Sequence, residues 1–405
     1  MKLALKKMVC SRAMRLTALL FGTSCGASGA PGVQASAPLT SPLPQVQTAY
    51  LECQEVNYSV ATWNIRVVTQ NTPFKKEPAF AGRSIIRGTL QFGGNASNSI
   101  PFVWDSEAGR LYLDLNRNLD LTDDPAGIFA RQTNRTIVPQ TFAGVRLPLQ
   151  TPSGVQSVVA DLSLWNSGSF CYAAVRSFWQ GKVTLGGEDF QVGIVENSFE
   201  KPGSADNGHL LLRPWELRNQ PFDTSPGSLA TVPFSRKLFV HDHAYQLDCA
   251  AEPGVVHPRL KLQFAEQQPA LGELKIAGDF VQRVTLLGGP WFVVIDKPES
   301  AVKVPAGSYN QFNIYLKNGD IGAYRTGGQK RITIEEKKLA VLTAGGPLTN
   351  SVAVSRRGDY LNFNYQLLGA GGEAYQLAQP DRAKPPEFVV YRGGKKIASG
   401  KFEFG

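Results

Sequence analysis

The feature that most constrains this fold is a two-residue alternation of apolar and polar side chains, running in short bursts from about Tyr50 onward. SIIRGTLQF, IPFVWDS, RLYLDL, VVADLSLW, FCYAAVRSFW, GKVTLGG and DFQVGIVE carry it for six to ten residues each and stop at turn-forming residues. A period of two places alternate side chains on one face, which is what a half-buried strand needs and a helix does not. With 40 Gly and 26 Pro to break the chain and no intervening helical pattern, consecutive short strands predict an antiparallel all-β fold.

At 405 residues the chain is long enough for two or three cores of ordinary size. Residues 1–37 have the parts of an export signal. Lys2, Lys6 and Lys7 open it, an apolar stretch follows around Leu16 to Phe21, and small residues run from Gly26 to Ala37. Cleavage after Ala30 and after Ala37 both fit, and Cys25 after Thr23 and Ser24 raises lipid anchoring as a second reading, although Gly22 stands where a lipobox carries Leu. The predicted location is periplasmic or extracellular. Residues 38–49, with three prolines, read as a linker; 50–255 read as an N-terminal β-rich domain. Residues 256–345 read as a β-sandwich, and 346–405 as a C-terminal β-module or the completion of that sandwich. The proline-rich stretch 197–233 is expected to be an extended loop, and KLFVHDHAYQLDC a hairpin.

Charge excludes one class of partner. The formal net charge is +9, but five basic residues and no acid fall within the first 36 positions. The remainder is close to balance, which gives no reason to expect nucleic acid or an anionic membrane surface. No further apolar run reaches the ~18–20 residues that span a bilayer. Cys53, Cys171 and Cys249 lie outside the signal. An odd count in an oxidising compartment predicts one disulfide and one buried thiol, with Cys171–Cys249 the preferred pair.

The segment LDLNRNLDLTDDP carries the one regular spacing of oxygen ligands. Asp114, Asn116, Asn118, Asp120 and Thr122 fall at every second position, with Asp123 and Asp124 behind them. Calcium takes six to eight oxygens, and alternate positions in a tight loop curl them around one point. The loop resembles that of an EF-hand: Asp114, Asn116 and Asn118 match its first, third and fifth positions, Asp120 the seventh, and Leu121 the apolar eighth. It departs from that pattern at Leu119, where the turn uses Gly, and at Pro125, where a bidentate Glu closes the cage. The other reading is a metal-free turn in which Asx side chains bond their own backbone.

Other constellations are weaker. His241–Asp242–His243 could present two imidazoles to a transition metal with Asp242 or His209, but the triplet falls where a hairpin turn is expected. Asp105, Glu107, Glu188, Asp189 and Glu196 are the carboxylates available to a glycoside hydrolase. Trp104, Trp165, Trp179, Trp215 and Trp291 read mainly as core, with Trp215 in the irregular segment as the exception that could face a ligand.

VPAGSY at 304–309 resembles the turn-into-strand of immunoglobulin-like and transthyretin-like modules, with Gly307 expected at positive φ and Tyr309 over the core. The C-terminal strands, the GxVxLGG hairpin and the Asp/Asn loop together resemble uncharacterised secreted β-rich proteins of environmental bacteria. That resemblance implies architecture only. The functional expectation is a secreted, non-catalytic binding or envelope-structural protein with a glycan or protein ligand and one calcium ion. The alternative is an extracellular carbohydrate-active hydrolase.

Overall fold

The structure is a computed structural model. It describes residues 46–69, 73–94, 96–132, 139–151, 154–165, 170–198, 205–206, 208–222, 229–252, 258–298, 300–319, 321–328, 331–378 and 385–402. The expected signal, Cys25 and most of the linker lie outside these residues. The fold is all-β and its sheets are predominantly antiparallel, as the alternation predicts, with parallel pairs only at Lys237–Val240 with Phe292–Asp296 and Leu271–Ala277 with Leu339–Thr343 among the described strands; the helical content among the described residues is confined to three single 3-10 turns.

Eight strands form the first sheet, in the order Ile128–Ala130, Arg110–Leu113, Ser99–Asp105, Ile85–Gln91, Ala61–Val68, Phe170–Val175, Gly154–Leu164 and Gln140–Thr151. Its two edges meet at a bridge between Arg131 and Phe142, where the Gln132 N–H donates to the Thr141 carbonyl at 2.9 Å. The sheet therefore curls onto itself, and closure satisfies edge groups that would otherwise be exposed. Its interior holds Trp63, Phe92, Phe102, Trp104, Leu111 and Phe142, each less than 5% exposed. The polar tip of Trp104 is satisfied at Gln140 Oε1, 3.0 Å away. Alternate residues of the same strands, Val103 and Tyr112, face outward and make a small second layer with Leu121, Phe74, Phe80 and Ile85.

A second sheet of fifteen strands runs from Thr231–Pro233 at one edge to Thr349–Arg357 at the other. Its first part surrounds a core of Leu51, Trp179, Ile194, Leu247, Leu262 and Phe264. Arg259–Gln267, which the sequence places after the domain boundary, is hydrogen-bonded to Val46–Glu55 on one side and His243–Ala251 on the other. Further along, Val281–Leu287, Phe292–Asp296 and Gln311–Asn318 pack against the separate sheet of Leu271–Ala277, Val302–Pro305 and Leu339–Thr343, enclosing Leu274, Val284, Val304, Tyr309 and Ile314. This third core is a β-sandwich. The last two strands, Glu387–Arg392 and Lys395–Lys401, turn through Gly393 and Gly394, both at positive φ.

Two local expectations are corrected. Residues 197–233 are not one loop: Gly208–Pro214 is a strand paired with Glu188–Glu196. Its HLLLR core lacks alternation because Leu210 and Leu211 are both buried, one in each of the first two cores. Gly307 takes the expected positive φ, 159°, and is also short of room, since a Cβ there would lie 2.5 Å from Pro290 Cγ. The second correction concerns cysteine. Cys53, Cys171 and Cys249 are all free. Cys171 lies inside the closed sheet while Cys249 packs on the second core, so the preferred pair is split between two interiors.

Burial pushes the Cys53 thiol up to about 11 and those of Cys171 and Cys249 up to about 12. Thiolate, the reactive form, is therefore scarce in the folded protein at mildly alkaline pH. Alkylation followed by peptide mass spectrometry is expected to leave all three unmodified in the native chain and to label all three after unfolding without reductant. A cysteine protected after unfolding until reductant is added would contradict free thiols.

Candidate functional site

The Asp/Asn loop leaves the closed sheet at Leu113 and folds over its outer face. Arg117 and Leu119 take left-handed backbone conformations, φ 64° and 66°. Leu119 thus makes the sharp turn that an EF-hand assigns to Gly, at the steric cost of a side chain. That cost is offset by a dense set of side chain to backbone hydrogen bonds. Asp114, fully buried, accepts from the N–H groups of Asn118 (3.1 Å) and Leu119 (2.9 Å). Asn116 Oδ1 accepts from Asn118 N–H at 3.0 Å, Asn118 Oδ1 from Asp120 N–H at 2.7 Å, and Asp120 Oδ1 from Thr122 N–H at 2.9 Å. Leu121 anchors the far side by entering the outer apolar layer, and its N–H donates to the Lys76 carbonyl at 3.1 Å.

The loop gathers Asp114, Asn116, Asn118, Asp120, Thr122, Asp123 and Asp124 onto one turn of chain. Asp123 receives the amide nitrogens of Asn116 (3.1 Å) and Asn118 (2.7 Å). Asp120 is held below the usual carboxylate range, chiefly by the Thr122 hydroxyl. Asp124 is different. It is 8% exposed, and its Oδ2 is buried without a hydrogen-bond partner. Burial and then the neighbouring Asp114 and Asp123 carboxylates raise its pKa. Arg117, which the sequence sets among the acids, turns away to the carbonyls of Ser99 (3.2 Å) and Pro148 (2.7 Å) and fastens the loop to the sheet.

Among the described residues no group of three or more His, Cys, Asp or Glu side chains is arranged to hold a metal. The Asp/Asn loop adds Asn amide and backbone carbonyl oxygens to its carboxylates, hard donors of the kind that suit calcium. Asp124 lies one residue before Pro125, the position at which an EF-hand loop carries its closing Glu.

The His241–Asp242–His243 triplet forms the expected hairpin turn, with His241 and Asp242 at φ 49° and 63°. His243 Nδ1 lies 2.9 Å from Glu266 Oε1, a partner the sequence did not suggest because it comes from the adjacent strand. His209 sits on Gly208–Pro214, is held below its ordinary pKa by burial, and does not join the triplet. Asp105 and Glu107 lie at one turn of the closed sheet, and Glu188, Asp189 and Glu196 on one strand of the long sheet. Asp105 is fully buried and caps the N–H groups of Gly82 and Ala108. Glu107 accepts from Arg83 N–H, and Asp189 pairs with Lys182 at 2.6 Å. Glu196 is buried beside Trp63, and Glu188 is exposed near the histidine turn.

Trp104 and Trp179 are core, as expected. Trp165 is 41% exposed, and Trp215 stands half-buried on a 3-10 turn at the end of Gly208–Pro214. Beside Trp215 opens a cleft of about 450 Å³ that also takes in Gln54, Tyr58 and Gln180, residues without any sequence signal.

Comparison with protein-family models, curated proteins and solved structures gave no match to this chain. Among the described residues no helix is long and apolar enough to cross a membrane.

The raised pKa of Asp124 has a definite sign. A carboxylate whose folded pKa lies above its unfolded value costs stability when ionised, and that cost is relieved as pH falls through the folded pKa. Asp124→Asn is therefore expected to stabilise the metal-free chain at neutral pH by about 1 kcal/mol, the scale of one unpaired buried polar group. Denaturant unfolding in chelator would measure it, and the gain should vanish at acid pH.

Proposed function

We propose that this is an exported, non-catalytic binding protein of the cell envelope or its surroundings, stabilised by one calcium ion in the 114–124 loop. The observation that carries the calcium reading is the partnerless Asp124 Oδ2, buried beside Asp114 and Asp123. A metal-free Asx turn gives no reason to keep one carboxylate oxygen buried without a partner, whereas a divalent cation removes its cost. Asp114, Asn116, Asn118, Asp123 and Asp124 would supply side-chain oxygens and Asp120 its carbonyl, with Thr122 restraining Asp120. The ion would then tie the exit of Arg110–Leu113 to the Lys76 segment across the outer layer, a structural role.

The engagement of Asp105 by the Gly82 and Ala108 N–H groups, of Glu107 by Arg83 N–H and of Asp189 by Lys182 supports binding over hydrolysis, since glycosidases need two carboxyl groups facing one bond. The cleft at Trp215 supports a glycan or peptide ligand. The Tyr309 hydroxyl, bonded to the Pro305 carbonyl at 2.8 Å, supports an immunoglobulin-like reading of the sandwich. The basic, then apolar, then small-residue order of 1–37 supports export.

Thermal unfolding in millimolar calcium and in excess EDTA tests the calcium reading. A hundredfold excess over Kd contributes about 2.7 kcal/mol, so the midpoint should rise by several degrees, and Asp114→Ala should abolish the rise. Identical melting in both buffers would overturn it.

A further inference from the structure

On the face of the long sheet that runs outward from Phe178, four adjacent strands carry side chains joined end to end. Arg213 Nε donates to Gln191 Oε1 at 2.7 Å, Gln191 Nε2 donates to Gln180 Oε1, and Gln180 Nε2 donates to Gln54 Oε1 at 3.0 Å. Amide oxygen and nitrogen are ordinarily hard to tell apart. Here the guanidinium decides. It has no acceptor, so Gln191 must turn its oxygen toward Arg213, and each following amide is turned the same way. The donor left over is Gln54 Nε2, at the exposed end of the row. Gln191 is only 3% exposed, so the row is anchored in the protein interior and rises to the surface.

The cleft of about 450 Å³ lies along this row, within the ~300–1,000 Å³ range of small-ligand sites. Trp215 and Tyr58 are its aromatic walls. Lys182 Nζ and the Arg218 guanidinium lie 5.3 and 5.0 Å from the centroid of the Trp215 ring. Lys182 is neutralised in part by Asp189, but no carboxylate among the described residues pairs with Arg218, whose guanidinium donates to the Trp215 carbonyl at 3.2 Å. Among the described residues no Asp or Glu lines the cleft.

We propose that this cleft binds an acidic saccharide, a short chain of hexuronate units. An oriented amide row suits the hydroxyls of a sugar ring, an aromatic wall suits its C–H face, and a cation without a carboxylate partner suits its carboxylate. A neutral sugar would leave the Arg218 charge unused, and a bare phosphate would leave the amide row and the aromatic walls unused. The proposal rests on reading the protein as a binding protein, and it names the site and the ligand class.

The test is calorimetric titration of the full-length chain with oligogalacturonate, with a cello-oligosaccharide of equal length and with inorganic phosphate, and separate chromatography of the sugars after incubation. Oligogalacturonate should bind, more weakly in high salt, and the other two should not. Arg218→Ala and Trp215→Ala should each lower its affinity about tenfold, the loss of roughly 1.4 kcal/mol, with Arg218→Lys recovering part. Near-ultraviolet circular dichroism and unchanged melting would establish that the variants fold. No binding of oligogalacturonate, or binding that neither substitution weakens, would overturn the site. Equal affinity for the neutral oligosaccharide would overturn the ligand class while leaving the binding reading intact. Shortened products would overturn the non-catalytic reading while leaving the site.

Discussion

The constraint on which the first two cores depend is the crossing at Arg176. Two antiparallel segments pass together from the long sheet into the closed one: Val46–Glu55 leads on to Ala61–Val68, and Phe170–Val175 leads on to Ser177–Leu185. Between them the ladder is interrupted, and the orphaned backbone groups need other partners. Val56 N–H donates to the Arg176 carbonyl at 2.7 Å, and Arg176 N–H donates to the Val159 carbonyl at 2.8 Å. The guanidinium reaches Val56 O at 3.3 Å and lies 3.5 Å from both Glu55 and Asp161, so one side chain spans the crossing segments and a third strand. Immediately after it, Phe178 enters one core and Trp179 the other.

The same crossing makes the Trp215 cleft. Val56, Asn57 and Tyr58 leave the sheet there, Gln54 and Phe178 border the gap, and the strand Gly208–Pro214 leads into the 3-10 turn that brings Trp215 to its rim. Gly193 belongs to this arrangement: a Cβ would lie 2.6 Å from the Trp179 carbonyl and 3.0 Å from the Phe178 ring, so only glycine lets the aromatic floor lie flat against the sheet. Cleft and crossing are thus one piece of architecture, whereas the Asp/Asn loop sits on the outer face of the closed sheet and depends on Leu121 and Arg117 to hold it.

These two sites differ in how far the sequence revealed them. The loop was legible because its chemistry is local: oxygens at alternate positions bond their own backbone, and Asp114 to Asp124 need only each other to be recognised. One of its departures had a structural answer, since Leu119 adopts the left-handed turn without a glycine. The cleft was not legible. Gln54, Gln180, Gln191 and Arg213 are separated by up to 159 positions, and glutamine in a strand carries no signal until pairing sets it beside another. Trp215 alone could be singled out, because it falls where alternation lapses.

By itself the sequence determined the all-β class, most strand positions, the hairpin at His241–Asp242 and the order of self-bonding Asx side chains in the Asp/Asn loop. Each follows from side-chain period or from bonds spanning a few residues. Tertiary structure decided the rest. FCYAAVRSFW reads as one strand but breaks at Arg176, because alternation records which residues are buried and not in which core. Cys171 and Cys249 look alike in sequence and lie in different interiors for the same reason. Closure of the eight-stranded sheet, the fifteen-strand pairing and the amide row all depend on long-range registers. Such registers are set by which apolar faces meet, and that information appears only when distant strands are brought side by side.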